Sequence, residues 1–225
     1  MGEHLMPLSA VEGYRRWAPS YDETANPVLA LEERILEPLL RVGPGMRVLD
    51  AACGTGRWAE RLARRGVYVW GIDLSPEMLA QASLKGEIAN QCLAGDIRAL
   101  PFREGFFDVA LCSFALSYLP DIGKAVTEFA RVARTVVVTD LHPEAMRRGW
   151  TRSFRDAGQT WQIDSFPYEV KQLEKAAADA GLVLDARVDA RFGEPEREIF
   201  RAAGKERLFP TVSQCPAILI TKWTR

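Results

Sequence analysis

The sequence predicts an α/β protein: a mostly parallel sheet with helices on both faces. Two observations carry that expectation. From Val48 onward, short apolar runs alternate with stretches whose apolar residues recur at helical spacing, the pattern of a sheet covered on both sides. At 225 residues, 48% hydrophobic and 26% charged, the chain suffices for one sizeable core, so 1–225 reads as a single domain.

The elements follow in order. "PSYDETANPVLALEERILEPLL", ending at Leu40, reads as a loop and then a helix, with Asn26 as N-cap and Pro27 in the first helical position. Pro38 should end or kink that helix. "RVLDA", Arg47 to Ala51, is the first strand. The next helix carries Trp58, Ala59, Leu62 and Ala63 on one face and closes on Arg64, Arg65 and the C-cap Gly66. Val67 to Asp73 is the second strand, and Ser75 with Pro76 opens a helix. "NQCLAGD" gives a weaker third strand and "FFDVALCSF" a strong fourth. Asp121 then caps a helix with Ile122, Ala125, Val126 and Phe129 at i, i+3, i+4 and i+7. Thr135 to Leu141 is β-branched enough to be a central fifth strand. Residues 143–167, rich in arginine and aromatics without clean periodicity, read as an inserted cover rather than another strand and helix pair. Regularity returns with a helix bearing Leu173, Ala176, Ala177 and Ala180 and ending at Gly181. "LVLDARVDA" is the sixth strand, a short helix runs from Pro195 to Ala203, and "PAILITKW" is the seventh strand. Little more than one short helix separates the last two strands, and the connection contains Gly204 and Pro210, so an antiparallel last strand is expected.

Composition excludes several classes. The 29 Lys+Arg and 30 Asp+Glu nearly cancel, which leaves no general reason to bind nucleic acid or an anionic membrane. Arg147, Arg148, Arg152 and Arg155 lie close in sequence, and the ordinary reading of such a cluster is a solvated helix face. No stretch approaches the roughly 20 apolar residues that span a bilayer, and Glu3, His4 and Pro7 do not form a leader; a cytoplasmic protein is expected. The scattered Cys53, Cys92, Cys112 and Cys215, with only 2 histidines, indicate neither a metal site nor a disulfide framework. A monomer and a homodimer are both compatible with the sequence.

In open α/β sheets, ligands bind beyond the carboxyl ends of the strands. Asp50, Asp73 and Asp96 follow the first three strands, Cys112 to Phe114 the fourth, and Asp140 to His142 the fifth. The small-residue turn in "VLDAACGTGRWAERL" admits close approach of a ligand, either the pyrophosphate of a dinucleotide or a nucleoside without phosphates. Asp73 follows Asp50 at a spacing of about 20 positions, which suits an acid accepting from ribose hydroxyls. Asp96 suits an exocyclic purine amine, with the Ile97 amide reading a ring nitrogen, and Asp50 suits an ammonium group. A carboxylate beside the turn repels phosphate, so the set favours a ligand with a cationic, amino-acid-like end.

"VLDAACGTG", "GIDLSPEMLAQA", "GDIRALPF", "FDVALCSFALSYLPD" and "RTVVVTD" together resemble the successive motifs of class I S-adenosylmethionine-dependent methyltransferases, from about Val48 to Asp140. The nearest group in character methylates small molecules in quinone biosynthesis and natural-product tailoring, and "TDLHPEAMRRGW" resembles a D-x-H-P segment of such tailoring enzymes. The resemblance implies a Rossmann-like seven-stranded sheet with an antiparallel last strand, and S-adenosylmethionine as cofactor. It places Asp50, Gly54 and Gly56 on the methionine side, Asp73 on the ribose, Asp96 and Ile97 on adenine, and Leu74 and Met78 against the base. The carbonyls near Cys112 and Ser113 would hold the methionine portion. The family's first turn glycine is Ala52 here, a departure that tests the dihedral of the turn. Within the one domain, the expected parts are a helical lid (1–45), a cofactor-binding core (46–141), a substrate-covering insertion (142–167), and a C-terminal helix with an antiparallel strand pair (168–225).

The expected reaction is methyl transfer to a small organic acceptor, at a hydroxyl of an aromatic or apolar metabolite. Positioning and desolvation supply much of the barrier reduction, and a base helps a hydroxyl. His142 is the candidate base, because imidazole titrates near neutrality; its competing reading is a turn histidine before Pro143 that bonds the backbone. Tyr21, in "WAPSYDE", is the second catalytic candidate, since family members often carry an aromatic there that closes over the cofactor; plain packing accounts for it equally well. Phe114, Tyr118 and Trp150 are the candidate acceptor-binding residues, drawn from a set of aromatics that includes Trp17, Phe154, Trp161 and Phe166. The alternatives are methylation of a protein or RNA, and a catalytically silent cofactor-binding protein. A dinucleotide-dependent dehydrogenase ranks last.

Overall fold

The structure, a computed structural model, describes residues 6–23 and 25–225. Glu3 and His4, read above for targeting, lie outside the described residues, as does Thr24 in the loop ahead of the first expected helix.

The chain opens with β1 (Met6–Leu8) and α1 (Ala10–Trp17), the latter capped by the Ser9 hydroxyl, which accepts from Glu12 N–H at 3.3 Å. Next comes α2 (Pro27–Leu40), where Asn26 accepts from the Val28 N–H at 2.9 Å. Contrary to the expectation for Pro38, α2 runs on through it to Leu40. Pro38 falls in the last turn, so its missing N–H withdraws one bond near an end that frays anyway. The stop comes at Arg41, in the left-handed region with φ 49.

Strands and helices then alternate as expected: β2 (Arg47–Ala51), α3 (Arg57–Ala63), β3 (Tyr68–Asp73), α4 (Pro76–Ser83), β4 (Cys92–Ala94), β5 (Phe107–Ser113), α5 (Gly123–Val132) and β6 (Ala133–Leu141). Asp121 accepts from Gly123 N–H at 2.8 Å where α5 starts. After β6 come α6 (Pro143–Arg147), β7 (Arg152–Asp156), β8 (Gln159–Ile163), α7 (Val170–Asp179), β9 (Val183–Ala190), α8 (Glu194–Ala202), α9 (Phe209–Val212) and β10 (Ile218–Thr224).

The main sheet has seven strands in the order β4-β3-β2-β5-β6-β10-β9. Its first five are parallel, and β10 runs antiparallel to both β6 and β9. On one face α5 and α7 bury Phe129, Leu173 and Ala177. On the other, α2 and α3 bury Leu31, Leu36, Trp58 and Leu62. Each such large side chain contributes about 1.5–3 kcal/mol by leaving water.

Residues 143–167 depart from the expected cover without strands. They contain the hairpin β7–β8, paired antiparallel from Arg152↔Ile163 to Asp156↔Gln159. Its two-residue loop, Ala157 and Gly158, has φ 48 and 80, and two consecutive positive values match the right-handed twist of a hairpin. Then β1 adds to β8 in parallel, Met6↔Trp161 to Leu8↔Ile163, giving a second, three-stranded sheet. The solvated-face reading of the arginine cluster holds for Arg147 and Arg148, which are exposed, and fails for Arg152, which is buried. Among the described residues no helix is long and apolar enough to cross a membrane.

Candidate active site

Chain connections leave β2 and β5 in opposite directions across the sheet, which opens a crevice beyond their carboxyl ends. A cavity of about 350 Å³ occupies it.

The turn after β2 forms one wall. Ala52, Gly54 and Gly56 all have positive φ, at 61, 55 and 76. Alanine at the first of these tolerates the left-handed region at a strain of about 1–2 kcal/mol. Gly54 lines the cavity, and a Cβ there would meet nothing within 4 Å. Gly56 does not line it: it precedes α3, and a Cβ would sit 2.3 Å from the Ile88 δ-methyl. The two glycines therefore serve different ends, one close approach from the cavity and the other helix packing.

Three carboxylates reach this crevice. Asp50 is buried and accepts from Ala59 N–H at 3.0 Å; burial pushes its carboxyl up to about 7 against the pull of Arg57. Asp73 accepts from Gly54 N–H at 2.7 Å and Ser75 N–H at 2.8 Å, and burial raises it too. A carboxylate has about four acceptor sites, so capacity remains for ligand hydroxyls. Asp96 is half-buried and paired with Arg98, whose Nη2 donates at 2.6 Å and holds the acid below the usual carboxylate range. Leu74, Met78, Ile97 and Ser113 complete this end of the cavity.

The other end is aromatic. Tyr14, Tyr21, Phe114 and Tyr118 line it. The Tyr14 hydroxyl donates to that of Tyr118 at 2.9 Å, and burial raises both phenols above their ordinary value.

Beneath the cavity lies a buried network absent from the sequence reading. Glu32, on α2, is fully buried and accepts from Trp58 Nε1 at 3.1 Å, Ser113 Oγ at 2.7 Å, Arg57 and the Thr139 hydroxyl. It ties α2 to α3, β5 and β6 at the point where Ser113 meets the cavity. The available signal was an acid within a buried stripe, between Leu31 and Leu36.

Besides Gly56, three expected site residues do not line the cavity with their side chains. His142 does not line the cavity: its Nδ1 accepts from Glu144 N–H at 3.1 Å, capping α6, and its Nε2 donates to Asp189 at 3.0 Å. Both ring nitrogens are thus engaged outside the cavity, one in the helix cap and one with Asp189. Trp150 lines a second cavity with Trp17 and Leu141. The Cys112 side chain is buried inside the sheet, so only its backbone is available to a ligand.

The fold and these residues define an open-sheet α/β protein with an acid-lined ligand cavity at its strand-order reversal. A family model described as a methyltransferase domain matches residues 49–138. Malonyl-(acyl-carrier protein) O-methyltransferase of Erwinia pyrifoliae is 31% identical over 186 residues, covering 82% of this chain and 70% of that one. Demethylmenaquinone methyltransferase of Mycobacterium marinum is 39% identical over 123 residues, covering 52% of this chain and 51% of the relative. Several other malonyl-(acyl-carrier protein) O-methyltransferases are spanned over little more than half their length, such as 53% for that of Yersinia pestis. Among solved structures, an S-adenosylmethionine-dependent methyltransferase from Mesorhizobium loti superposes with TM-score 0.69 at 21% identity, covering 89% of this chain and 100% of that one. The chain belongs to the class I S-adenosylmethionine-dependent methyltransferase family, and S-adenosylmethionine is its cofactor.

Proposed function

We propose that this enzyme transfers a methyl group to an oxygen of a small acceptor with an aromatic or apolar body. The observation that carries the reading is one cavity with acids at one end and an aromatic, hydroxyl-bearing wall at the other. When bound, S-adenosylmethionine supplies a methyl group activated by a sulfonium leaving group. Asp50 takes its ammonium end, Asp73 its ribose hydroxyls, and Asp96 with the Ile97 N–H its adenine edge. Leu74 and Met78 pack the base, Gly54 gives the backbone room to approach, and the Cys112 and Ser113 carbonyls follow the methionine portion. Tyr21, Phe114 and Tyr118 face the acceptor. The described residues of the N-terminal part, up to 45, and the segment 142–167 cover the site, and 46–141 holds the cofactor.

One relative supports oxygen as the target by its name as an O-methyltransferase; another, named demethylmenaquinone methyltransferase, supports a small acceptor. The near-zero net charge supports a small acceptor over nucleic acid or an anionic membrane. A hydroxyl acceptor, the expectation from sequence, calls for a base. His142 is engaged outside the cavity, and the raised phenols of Tyr14 and Tyr118 stay protonated and act as donors that orient rather than deprotonate. Calorimetric titration with S-adenosylhomocysteine tests the reading. Saturable binding is expected, weakened about 30-fold by Asp73→Ala, since a charged hydrogen bond contributes about 1.5–3 kcal/mol; absence of binding to the wild-type protein overturns it.

A further inference from the structure

The side chain of Arg152, at the start of β7, is the least satisfied charge in the interior. The residue is 7% exposed. Its Nη2 donates to the Tyr21 hydroxyl at 2.9 Å, but Nε and Nη1 reach no acceptor among the described residues. Its guanidinium carbon lies 5.4 Å from the Trp17 ring centroid and 5.1 Å from that of Phe114. Asp140 feels its charge, yet the Asp140 oxygens accept from Ser117 and Leu141 N–H and the Ser117 hydroxyl instead. A guanidinium cannot shed its proton, and a buried charge left without a counterion is strongly unfavourable. Such a group is completed by an anion from outside the chain.

Its position says which kind. Among the described residues Arg152 is the only ionisable one lining the second cavity, about 230 Å³, whose walls include Trp17, Leu141 and Trp150 beside the uncharged polar Asn26, Thr151 and Ser153. Two of the side chains around it, Tyr21 and Phe114, line the cofactor cavity, while a third, Trp17, lines the second. The guanidinium therefore stands on the partition between this second chamber and the cofactor chamber. A phosphate dianion would call for a second cation, and the described residues of the chamber supply none. One planar fork flanked by ring faces matches a carboxylate on an apolar body.

We propose that Arg152 holds a carboxylate of the acceptor, and that this carboxylate is the methylated group; the inference rests on the methyl-transfer reading above. The apolar body fills the second cavity, and the carboxylate faces the cofactor at the partition. A carboxylate is already ionised at neutral pH, so the site works without a base. An oxygen lone pair forms the bond to the methyl carbon, the carbon–sulfur bond breaks, and its electron pair stays on sulfur. No proton moves, and the products are a methyl ester and S-adenosylhomocysteine.

The test is calorimetry on the full chain saturated with S-adenosylhomocysteine. The probes are benzoate, 3-phenylpropanoate and octanoate, each paired with its own primary amide. At least one acid is expected to bind tenfold or more tightly than its amide. Arg152→Met should abolish that preference while S-adenosylhomocysteine binds unchanged, and Arg152→Lys should restore part of it. Because Arg152→Met removes an unpaired buried charge, its Tm without ligand should rise. Acid and amide binding alike in all three pairs, or a preference that survives Arg152→Met, overturns the proposal. If Arg152→Met does not fold, the wild-type comparison alone decides. Failure of S-adenosylhomocysteine to bind the wild-type chain strikes the methyl-transfer reading instead.

Discussion

Gly54 and Gly56 sit two residues apart in the same turn, both at positive φ, yet alanine should harm them in different ways. At either position a methyl group in the left-handed region strains the backbone by about 1–2 kcal/mol, partly offset by about 0.4–1 kcal/mol from a less flexible unfolded chain. For Gly54→Ala that net of about 1 kcal/mol is the whole stability effect, because the new Cβ meets nothing within 4 Å. For Gly56→Ala the new Cβ falls 2.3 Å from the Ile88 δ-methyl. Ile88 is fully buried, so it has no empty space to swing into. Overpacking of this kind adds about 1–3 kcal/mol, for a total of about 2–4 kcal/mol. A chain of this size loses about 2–4 °C of Tm per kcal/mol. Calorimetric melts should therefore drop by about 2–4 °C for Gly54→Ala and by several times that for Gly56→Ala. Affinity should run the other way: Gly54→Ala weakens S-adenosylhomocysteine tenfold or more, and folded Gly56→Ala binds it as wild type does. Equal losses of Tm in the two variants, or weakened binding confined to Gly56→Ala, would refute the division of labour.

Asp50, with its carboxyl pushed up to about 7 by burial, takes up a proton more readily folded than unfolded. Its contribution to stability is thus full below about pH 4 and declines as pH rises to about 7, by at most about 4 kcal/mol at 1.4 kcal/mol per unit. Urea midpoints of Asp50→Asn should lack that decline; Asp140, raised to about 6, slopes both proteins alike and cancels in the difference. Glu32→Ala leaves Arg57 with Glu33 alone as its acid partner and takes the acceptor from the Trp58 Nε1–H and two hydroxyls, and should lower stability by about 3–5 kcal/mol, read as a lower urea midpoint. Ala52→Gly relieves the left-handed strain, and a Tm higher by about 1–3 °C is expected for a gain of under 1 kcal/mol.

The main sheet was legible because its strands are apolar on both faces and its helices carry clear stripes and stops. Cavity-lining acids were legible for a different reason: Asp50, Asp73 and Asp96 each end a strand, and strand ends face the crevice in any open sheet. The hairpin β7–β8 was hidden by its own chemistry. Its buried row contains Arg152 beside Phe154, so the period-two signal of a strand reads as polar. Its turn is Ala-Gly rather than the Asn-Gly that usually marks such a loop. Helix α1 did carry a signature, Ser9-x-x-Glu12, of which the Ser9 cap is formed. The surroundings of His142 were not legible, because residue type and position after a strand say nothing of which partners a ring nitrogen will find. Here they are Glu144 N–H and Asp189, the second from a strand 47 residues away in sequence.

The small sheet joins the start of the chain to the hairpin through backbone bonds between β1 and β8. Tyr14 and Tyr21 come from one of these segments and Arg152 from the other, and Tyr21 touches Arg152 directly. For protein engineering they are one exchangeable cassette. Transplanting a relative's hairpin without its own N-terminal strand would leave an unpaired edge and a mismatched tyrosine, so acceptor preference should be swapped only by moving both ends of the cassette together.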